Sequence, residues 1–333
     1  MNVTYEREVS HCEKSPYLQE VTVLNIYPAI NSDFLEILQF KEIGWQIVTK
    51  KGEYHKGDRL FFCPPESVIP IELAEEQNIT NYLKKGLVRV VRLRKNVSAG
   101  LPLGIEIGKK WKDYILHWND PPRLCMGGDI TAREDVPFFF TKFFNMPNLR
   151  NVPYTFYDGE LIVYSEKIHG CSCRLSLMTN PKTGEKELYI GSHNVVLKED
   201  MNNLYWRTIK THLDDNKIQL QDALDLEFFG EVYGPGIQNG YTYGLKEPKF
   251  VIFNISKNGK YFHPDQIEET CKLLKLPCVI YHRDTFDMKK MENIAESPSE
   301  YTDKNIREGI VLISSETPDK MAKLVSLRYL EGR

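Results

Sequence analysis

Lys167 lies in the run Ser165-Glu166-Lys167-Ile168-His169-Gly170. An amine between two strands, ahead of a glycine that permits a tight turn, could be offered into a cleft as a covalent nucleophile. Alone, the pattern is better met by a turn with an exposed lysine, because Lys-x-[Asp/His/Asn]-Gly is short enough to recur by chance. Three more charged residues stand in apolar company downstream. Glu231 lies in Phe229-Gly230-Glu231-Val232-Tyr233-Gly234, Glu308 in Arg307-Glu308-Gly309-Ile310-Val311-Leu312, and Lys323 in Ala322-Lys323-Leu324-Val325-Ser326. Both glutamates adjoin a glycine inside strand-like runs, where an unpaired carboxylate would be costly to bury. Packing alone does not explain them.

With Phe250-Val251-Ile252-Phe253-Asn254-Ile255, these segments follow the order of motifs I, III, IIIa, IV and V of the covalent nucleotidyltransferases. The sequence resembles that superfamily of ligases and capping enzymes over essentially all of residues 150–333. Three details resemble its RNA ligase branch. His169 stands where DNA ligases and capping enzymes usually carry aspartate, Gly230 to Gln238 reads Gly-Glu-Val-Tyr-Gly-Pro-Gly-Ile-Gln, and Lys323-Leu324-Val325-Ser326 is followed by Tyr329-Leu330.

The resemblance implies an ATP-dependent RNA ligase in which Lys167 attacks the α-phosphorus of ATP and becomes adenylylated. AMP would then pass to an RNA 5′-phosphate, and an RNA 3′-hydroxyl would displace it, as in nick sealing and RNA repair. A protonated amine cannot attack, so positive charge from a divalent metal or another lysine is expected nearby. Glu308 is the implied carboxylate for Mg²⁺ or Mn²⁺, directly or through water. Lys323 would neutralise charge on the α-phosphate. Phe253 and Val311 would sandwich the adenine, though both also suit a core. Glu231 and His169 would reach the ribose, His169 alternatively a metal-bound water. Arg150 would reach the phosphates or be a solvated surface residue. Glu166, Ile168 and Gly170, flanking Lys167, complete the implied nucleotide-binding set. Two positions depart from the family pattern. Ser192-His193-Asn194 has histidine where arginine is common, and Met321, beside Lys320, replaces the first of two lysines around Lys323. The alternatives are a guanylyltransferase that caps RNA, or a nucleic-acid-binding OB protein with an inactive transferase domain.

The elements needed to position these residues are legible as periodicity. Alternating runs at 21–27, 45–49, 59–63 and 87–93 predict short strands, with turns at Lys51-Gly52 and Lys56-Gly57-Asp58. They suggest an amino-terminal OB-like β-barrel. A Pro- and Phe-containing connector covers 136–150. Beyond it, strands are expected at 160–164, 171–177, 224–232, 249–255, 309–314 and 321–326, and helices at 201–220 and 265–274. The fold class is α+β: an OB-like domain with linker over 1–147, then an antiparallel-sheet nucleotidyltransferase domain (an ATP-grasp-like ligase fold) over 148–333. Ten residues follow Lys323, so no carboxy-terminal OB domain is expected. That order of domains resembles the Naegleria type of RNA ligase.

Composition sets the outer limits. The 333 residues are 41% hydrophobic and 27% charged, ordinary for a globular protein of two domains. No apolar run approaches the roughly 18 residues of a membrane span, and the amino terminus lacks a secretory layout. A monomer in the cytoplasm or nucleus is expected. Seven scattered cysteines do not form a disulfide framework. The net charge of −3 hides a local stripe: Lys84, Lys85, Arg89, Arg92, Arg94 and Lys95 occur with no acidic residue from 81 to 96. Such a stripe suits polyphosphate, as ATP or RNA, or else is a solvated basic strand. The expected RNA partner has 3′-hydroxyl and 5′-phosphate ends in a nicked or broken duplex.

Overall fold

In this computed structural model, residues 3–9, 12–14, 18–118, 132–133, 135–137, 140–143 and 145–332 are described. Phe138 and Phe139 of the connector, and Met1 and Asn2 of the amino terminus, lie outside them. Contacts divide the chain into two compact units, 1–121 with 149–156 and 122–148 with 157–333.

The first unit holds strands β1 (Cys12–Lys14), β2 (Gln19–Pro28), β3 (Leu35–Phe40), β4 (Gln46–Lys50), β5 (Arg59–Cys63), β6 (Ser67–Val68), β7 (Val90–Leu93), β8 (Asn96–Ala99), β9 (Leu101–Gly104) and β10 (Leu116–Trp118), with helices α1 (Ile71–Glu76) and α2 (Ile105–Trp111). Its main sheet runs β4-β3-β2-β5-β9. The long β2 serves both sides of it: residues 19–22 pair with β5, and 23–28 with β3 across a bulge between Val23 and Asn25. A bulge bends a strand and sharpens its twist, which lets one strand belong to two curved halves. Val21 and Val23, Leu38 and Phe40, and Leu60 and Phe62 alternate inward to fill the interior. Side chains bring β8 to β4, where Gln46 Nε2 donates to Val97 O at 2.9 Å and the Val48 N–H to Ser98 Oγ at 3.0 Å. The result is an OB-like half-barrel. Helices α1 and α2 were not legible as periodicity, being six and seven residues long. They close one end of the unit through Leu73 and Trp111. The strand expected at 87–93 shortens to β7.

The second unit holds strands β11 (Leu161–Glu166), β12 (Cys171–Thr179), β13 (Lys186–Ser192), β14 (Val196–Leu197), β15 (Leu226–Tyr233), β16 (Lys249–Lys257), β17 (Lys260–Tyr261), β18 (Tyr281–Thr285), β19 (Gly309–Ser314) and β20 (Met321–Val325). Helices α3 (Leu204–Asp215), α4 (Pro264–Leu274), α5 (Met288–Ala295) and α6 (Leu327–Leu330) complete it. Two antiparallel sheets form, β14-β13-β12-β15-β16-β17 and β18-β11-β19-β20. One core joins them, with Leu175, Phe228 and Val251 from the larger sheet and Val163, Ile313 and Met321 from the smaller. The helix expected at 201–220 is confined to α3. Asn203 caps it by accepting the Tyr205 and Trp206 N–H groups, and Trp206, Ile209 and Leu213 form its buried face. No helix among the described residues is long and apolar enough to cross a membrane.

Charge is also buried in this unit. The guanidinium of Arg174 on β12 donates to the carbonyls of Ser192 at 2.9 Å, Phe140 at 3.3 Å and Thr141 at 2.5 Å, tying the 140–141 segment to the sheet. Nearby on β15, Glu227 Oε2 accepts from Thr141 Oγ1 at 2.9 Å and Ser256 Oγ at 3.1 Å. Its other oxygen has no hydrogen-bond partner among the described residues. Burial pushes the Glu227 carboxyl from 4.5 up to about 8, with Arg174, Thr141 and Ser256 opposing. The folded protein thus keeps a proton that the unfolded chain releases near 4.5, so stability falls as pH rises between those values, by up to about 1.4 kcal/mol per pH unit. Glu227→Gln is therefore expected to match the wild type in urea unfolding near pH 5 and to exceed it by a few kcal/mol near pH 8.5. Equal stability at both pH values would show that this carboxyl is ionised throughout.

Candidate active site

Strand β11 lies between β18 and β19 and delivers Lys167 directly after its last residue. The Lys167 N–H donates to Gly309 O at 2.9 Å, extending the β11–β19 ladder by one step. The neighbouring side chains both point into the protein. Glu166, with no exposed side-chain surface, accepts from Ser299 Oγ and the Glu300 N–H, each at 2.7 Å, and lies 3.2 Å from Arg307 Nε. Burial raises this carboxyl, while Ser299, the Glu300 amide and Arg307 pull it back. Ile168 is buried in the core. With both neighbours turned inward, Lys167 presents its amine on the opposite side, and Nζ sits 2.7 Å from Glu308 Oε1.

A glycine-rich loop between β15 and β16 holds the next two residues. The His169 N–H donates to the Tyr243 hydroxyl at 2.8 Å, and Gln238 Nε2 donates to Gly170 O at 2.9 Å. Asn305 fastens this loop, accepting the Tyr243 N–H at 3.2 Å and donating to Gly240 O at 2.9 Å. Residues 299–307 therefore hold the near side of Lys167 through Glu166 and the far side through the loop. Position 170 must be glycine, since a Cβ there would come within 2.3 Å of Val232 O. The His169 ring lies edge-on to Tyr241 at 4.4 Å and Tyr329 at 5.2 Å. Its Nδ1 is 3.2 Å from Glu308 Oε2. A carboxylate only accepts, so this nitrogen carries the proton.

Glu308 therefore receives Lys167 on one oxygen and His169 on the other. It stands just before β19, its carbonyl accepting the Ser326 N–H at 2.9 Å. Gly309 follows at φ +151°, where a Cβ would meet Leu324 O at 2.2 Å, so the close β19–β20 approach beside Glu308 requires glycine. Burial works against ionisation of Glu308, but His169 and Lys167 outweigh it and hold the carboxyl below its usual range. Glu231 on β15 responds the other way. Burial pushes its carboxyl up to about 8, with Lys167 and the Gly170 amide opposing and Glu308 reinforcing. Lys323 on β20 pairs across to Val311. Burial and Lys167 push its amine below the usual lysine range, with Glu308 opposing. Lys167, His169, Glu231, Glu308 and Lys323 thus form one electrostatic group.

The other expected residues are placed less closely. Phe253 and Val311 are half-buried at the margin of the core; the Phe253 ring is edge-on to Phe143 at 5.1 Å. Arg150 belongs to the first unit. Lys320 is buried against Glu160 at 2.8 Å and Met321 lies in the core, so neither adds a cation to the group. Sequence reading passed over Tyr241, Tyr243 and Asn305; the only available signal was aromatics at alternate positions within the run Gly240 to Gly244. No cluster of three or more His, Cys, Asp or Glu side chains suited to a metal occurs among the described residues. Glu308 still fits Mg²⁺ or Mn²⁺, because such ions keep most of their waters and need only one or two protein carboxylates.

Comparison with known proteins agrees with this architecture. The RNA ligase family model matches residues 160–325. An OB-fold domain model matches 18–105. No curated protein matches the sequence. Among solved structures, Naegleria gruberi RNA ligase with PPi is similar at 21% identity and TM-score 0.52, over 95% of this chain and 98% of that one. A lysine-to-alanine mutant of that ligase with ATP and Mn, and a glutamate-to-alanine mutant with AMP and Mn, match with the same identity, TM-score and coverage. At this identity the likeness establishes the fold, while the family model establishes kinship. The chain therefore belongs to the RNA ligase family, enzymes that seal RNA, and carries an OB-fold domain ahead of its ligase domain.

Proposed function

We propose that this RNA ligase uses ATP and works through a lysyl-AMP intermediate on Lys167. The observation that carries the proposal is the Lys167–Glu308 contact at 2.7 Å, with His169 on the other carboxylate oxygen and Lys323 close by. In the first step the free amine of Lys167 attacks the α-phosphorus. The N–P bond forms as the bond to the bridging oxygen of pyrophosphate breaks, and the amine gives up a proton. Lys323 faces the charge that develops on the α-phosphate. In the second step an RNA 5′-phosphate oxygen displaces the lysine, which leaves as an amine after taking a proton. In the third an RNA 3′-hydroxyl attacks that phosphate, and AMP departs. A divalent cation held by Glu308 and water would supply positive charge beside the α-phosphate. Glu231 and His169 are the proposed contacts to the ribose, and Phe253 and Val311 to the adenine. Glu166 and Ile168 act through the backbone, since their side chains are committed to the interior, and Gly170 lets the turn approach β15. Arg150 is proposed to reach the phosphates. The substrate is proposed to be nicked or broken duplex RNA with 3′-hydroxyl and 5′-phosphate ends. The ATP, AMP, PPi and Mn in the Naegleria structures support this choice of nucleotide and metal.

Incubation with α-labelled ATP and Mg²⁺ should label the protein itself, and GTP should not substitute. Lys167→Ala and Lys167→Arg should abolish the label, because a guanidinium stays protonated and is a poor nucleophile. Lys167→Ala should still seal RNA that already bears a 5′-adenylate. Wild-type labelling of Lys167→Ala, or labelling by GTP alone, would sink the reading.

Glu308→Ala should slow adenylylation by about 10–100-fold. Glu308→Gln should recover little of it, because the lost charge rather than the lost shape matters. The rate is to be followed across Mg²⁺ and Mn²⁺ titrations. An unchanged rate and metal dependence would make Glu308 a structural residue only.

A further inference from the structure

Strand β18 is the edge of the smaller sheet and runs beside β11, the strand that ends at Lys167. Tyr164 pairs with His282 across the two strands. Their rings stack, with centroids 5.0 Å apart and planes 24° from parallel. The stack fixes the imidazole at the sheet edge, where the His282 side chain is 37% exposed. Its Nε2 lies 3.0 Å from Glu300 Oε2. A carboxylate only accepts, so Nε2 carries the proton and donates. Glu300 Oε1 accepts from Arg307 Nη2 at 2.8 Å, and Arg307 Nε lies 3.2 Å from Glu166 Oε2. The Glu300 N–H returns to that same oxygen of Glu166 at 2.7 Å. Glu166, Arg307 and Glu300 therefore close a ring, and His282 joins the ring to the surface.

The ring sets two carboxylates on one guanidinium. Arg307 is 2% exposed and Glu166 not at all, so neither can turn out to water. Glu300 can, its side chain being 27% exposed. Its departure would take an acceptor from Arg307 where water does not reach, which is costly, and would leave the guanidinium free to shift against Glu166. The neighbouring charges of β18 are engaged elsewhere: Arg283 pairs with Asp265 and Glu268, and Asp284 with Lys290 at 2.6 Å. His282 thus holds the outer oxygen of Glu300. Burial works against ionisation of Glu300, but His282 and Arg307 outweigh it and hold the carboxyl below its usual range. We propose that His282 is a positioning residue for adenylylation: by holding Glu300 against Arg307, it keeps Glu166 and the end of β11 in the register that aims the Lys167 amine. This rests on the lysyl-AMP reading and extends the frame around Lys167 to the edge of the sheet.

The test follows two reactions of the full-length protein. Adduct formation over a range of ATP reports the first step, and sealing of RNA that already bears a 5′-adenylate reports the third, which does not use the amine. His282→Leu removes the donor at similar size. It should lower the adenylylation rate at saturating ATP about tenfold, within the roughly 100-fold that a 1 Å misplacement can cost. The KM for ATP, the thermal midpoint and the sealing of adenylylated RNA should stay at wild-type values. His282→Gln, which can still donate to Glu300, should recover most of the rate. Glu300→Ala should give the same loss as His282→Leu, and the double variant no more than either, because residues acting through one network do not add. An unchanged adenylylation rate in His282→Leu would overturn the proposal. So would an equal loss in sealing of adenylylated RNA, which would make His282 a general structural support, or additive losses in the double variant. Absence of adduct in the wild type would strike the lysyl-AMP reading itself, and the proposal with it.

Discussion

The site depends on a carboxylate that never meets solvent. Glu166, one residue before Lys167, is held inside the protein by Arg307, Ser299 and the Glu300 amide. Burying that charge without partners would be prohibitive, so the 299–307 segment and the end of β11 have to come together. The backbone then leaves Lys167 facing away from the interior. Arg307 is followed at once by Glu308, so the segment that anchors the residue before the nucleophile also supplies the nucleophile's carboxylate partner. Position and electrostatics have a common origin.

The group around Lys167 illustrates how burial and pairing sort like side chains. Glu308 and Glu231 are both glutamates near Lys167, yet one is held in its ionised form and the other is pushed toward the neutral form. The difference lies in their contacts. Glu308 receives two cationic or proton-donating side chains directly, whereas Glu231 has the Gly170 amide and a more distant lysine against its burial. Carboxyls separated in this way suit different tasks at one pH. Glu308 can face a cation or an amine, and a neutral Glu231 can donate a hydrogen bond.

Much of this was legible in the sequence because the expected site residues lie, in order, on strands or just beyond their ends, three of them beside a glycine. Lys167, His169, Glu231, Glu308 and Lys323 lie within electrostatic reach of one another, and the close approaches at Gly170 and Gly309 account for those two glycines. What stayed hidden depends on contacts between segments far apart in the chain. Tyr243 meets His169 across 74 residues and Asn305 meets Tyr243 across 62, distances that no local pattern encodes. Glu166 reads like its neighbours until Arg307 is seen to turn it inward. Lys320 likewise looks available for phosphate until its pairing with Glu160 is seen. In the first unit, the basic stripe was visible, but not the turn at Arg94-Lys95 that joins β7 to β8.

The central claim is that the frame built by Glu166, Tyr243 and Asn305 offers a single amine for attack. It is tested most directly by locating the nucleotide on the wild-type protein after reaction with ATP and Mg²⁺. The protein would be digested and its peptides mapped by mass under conditions that preserve the phosphoramidate bond. The account predicts AMP on the peptide containing Lys167 and on no other. AMP on Lys323, on any other residue, or on none would contradict it.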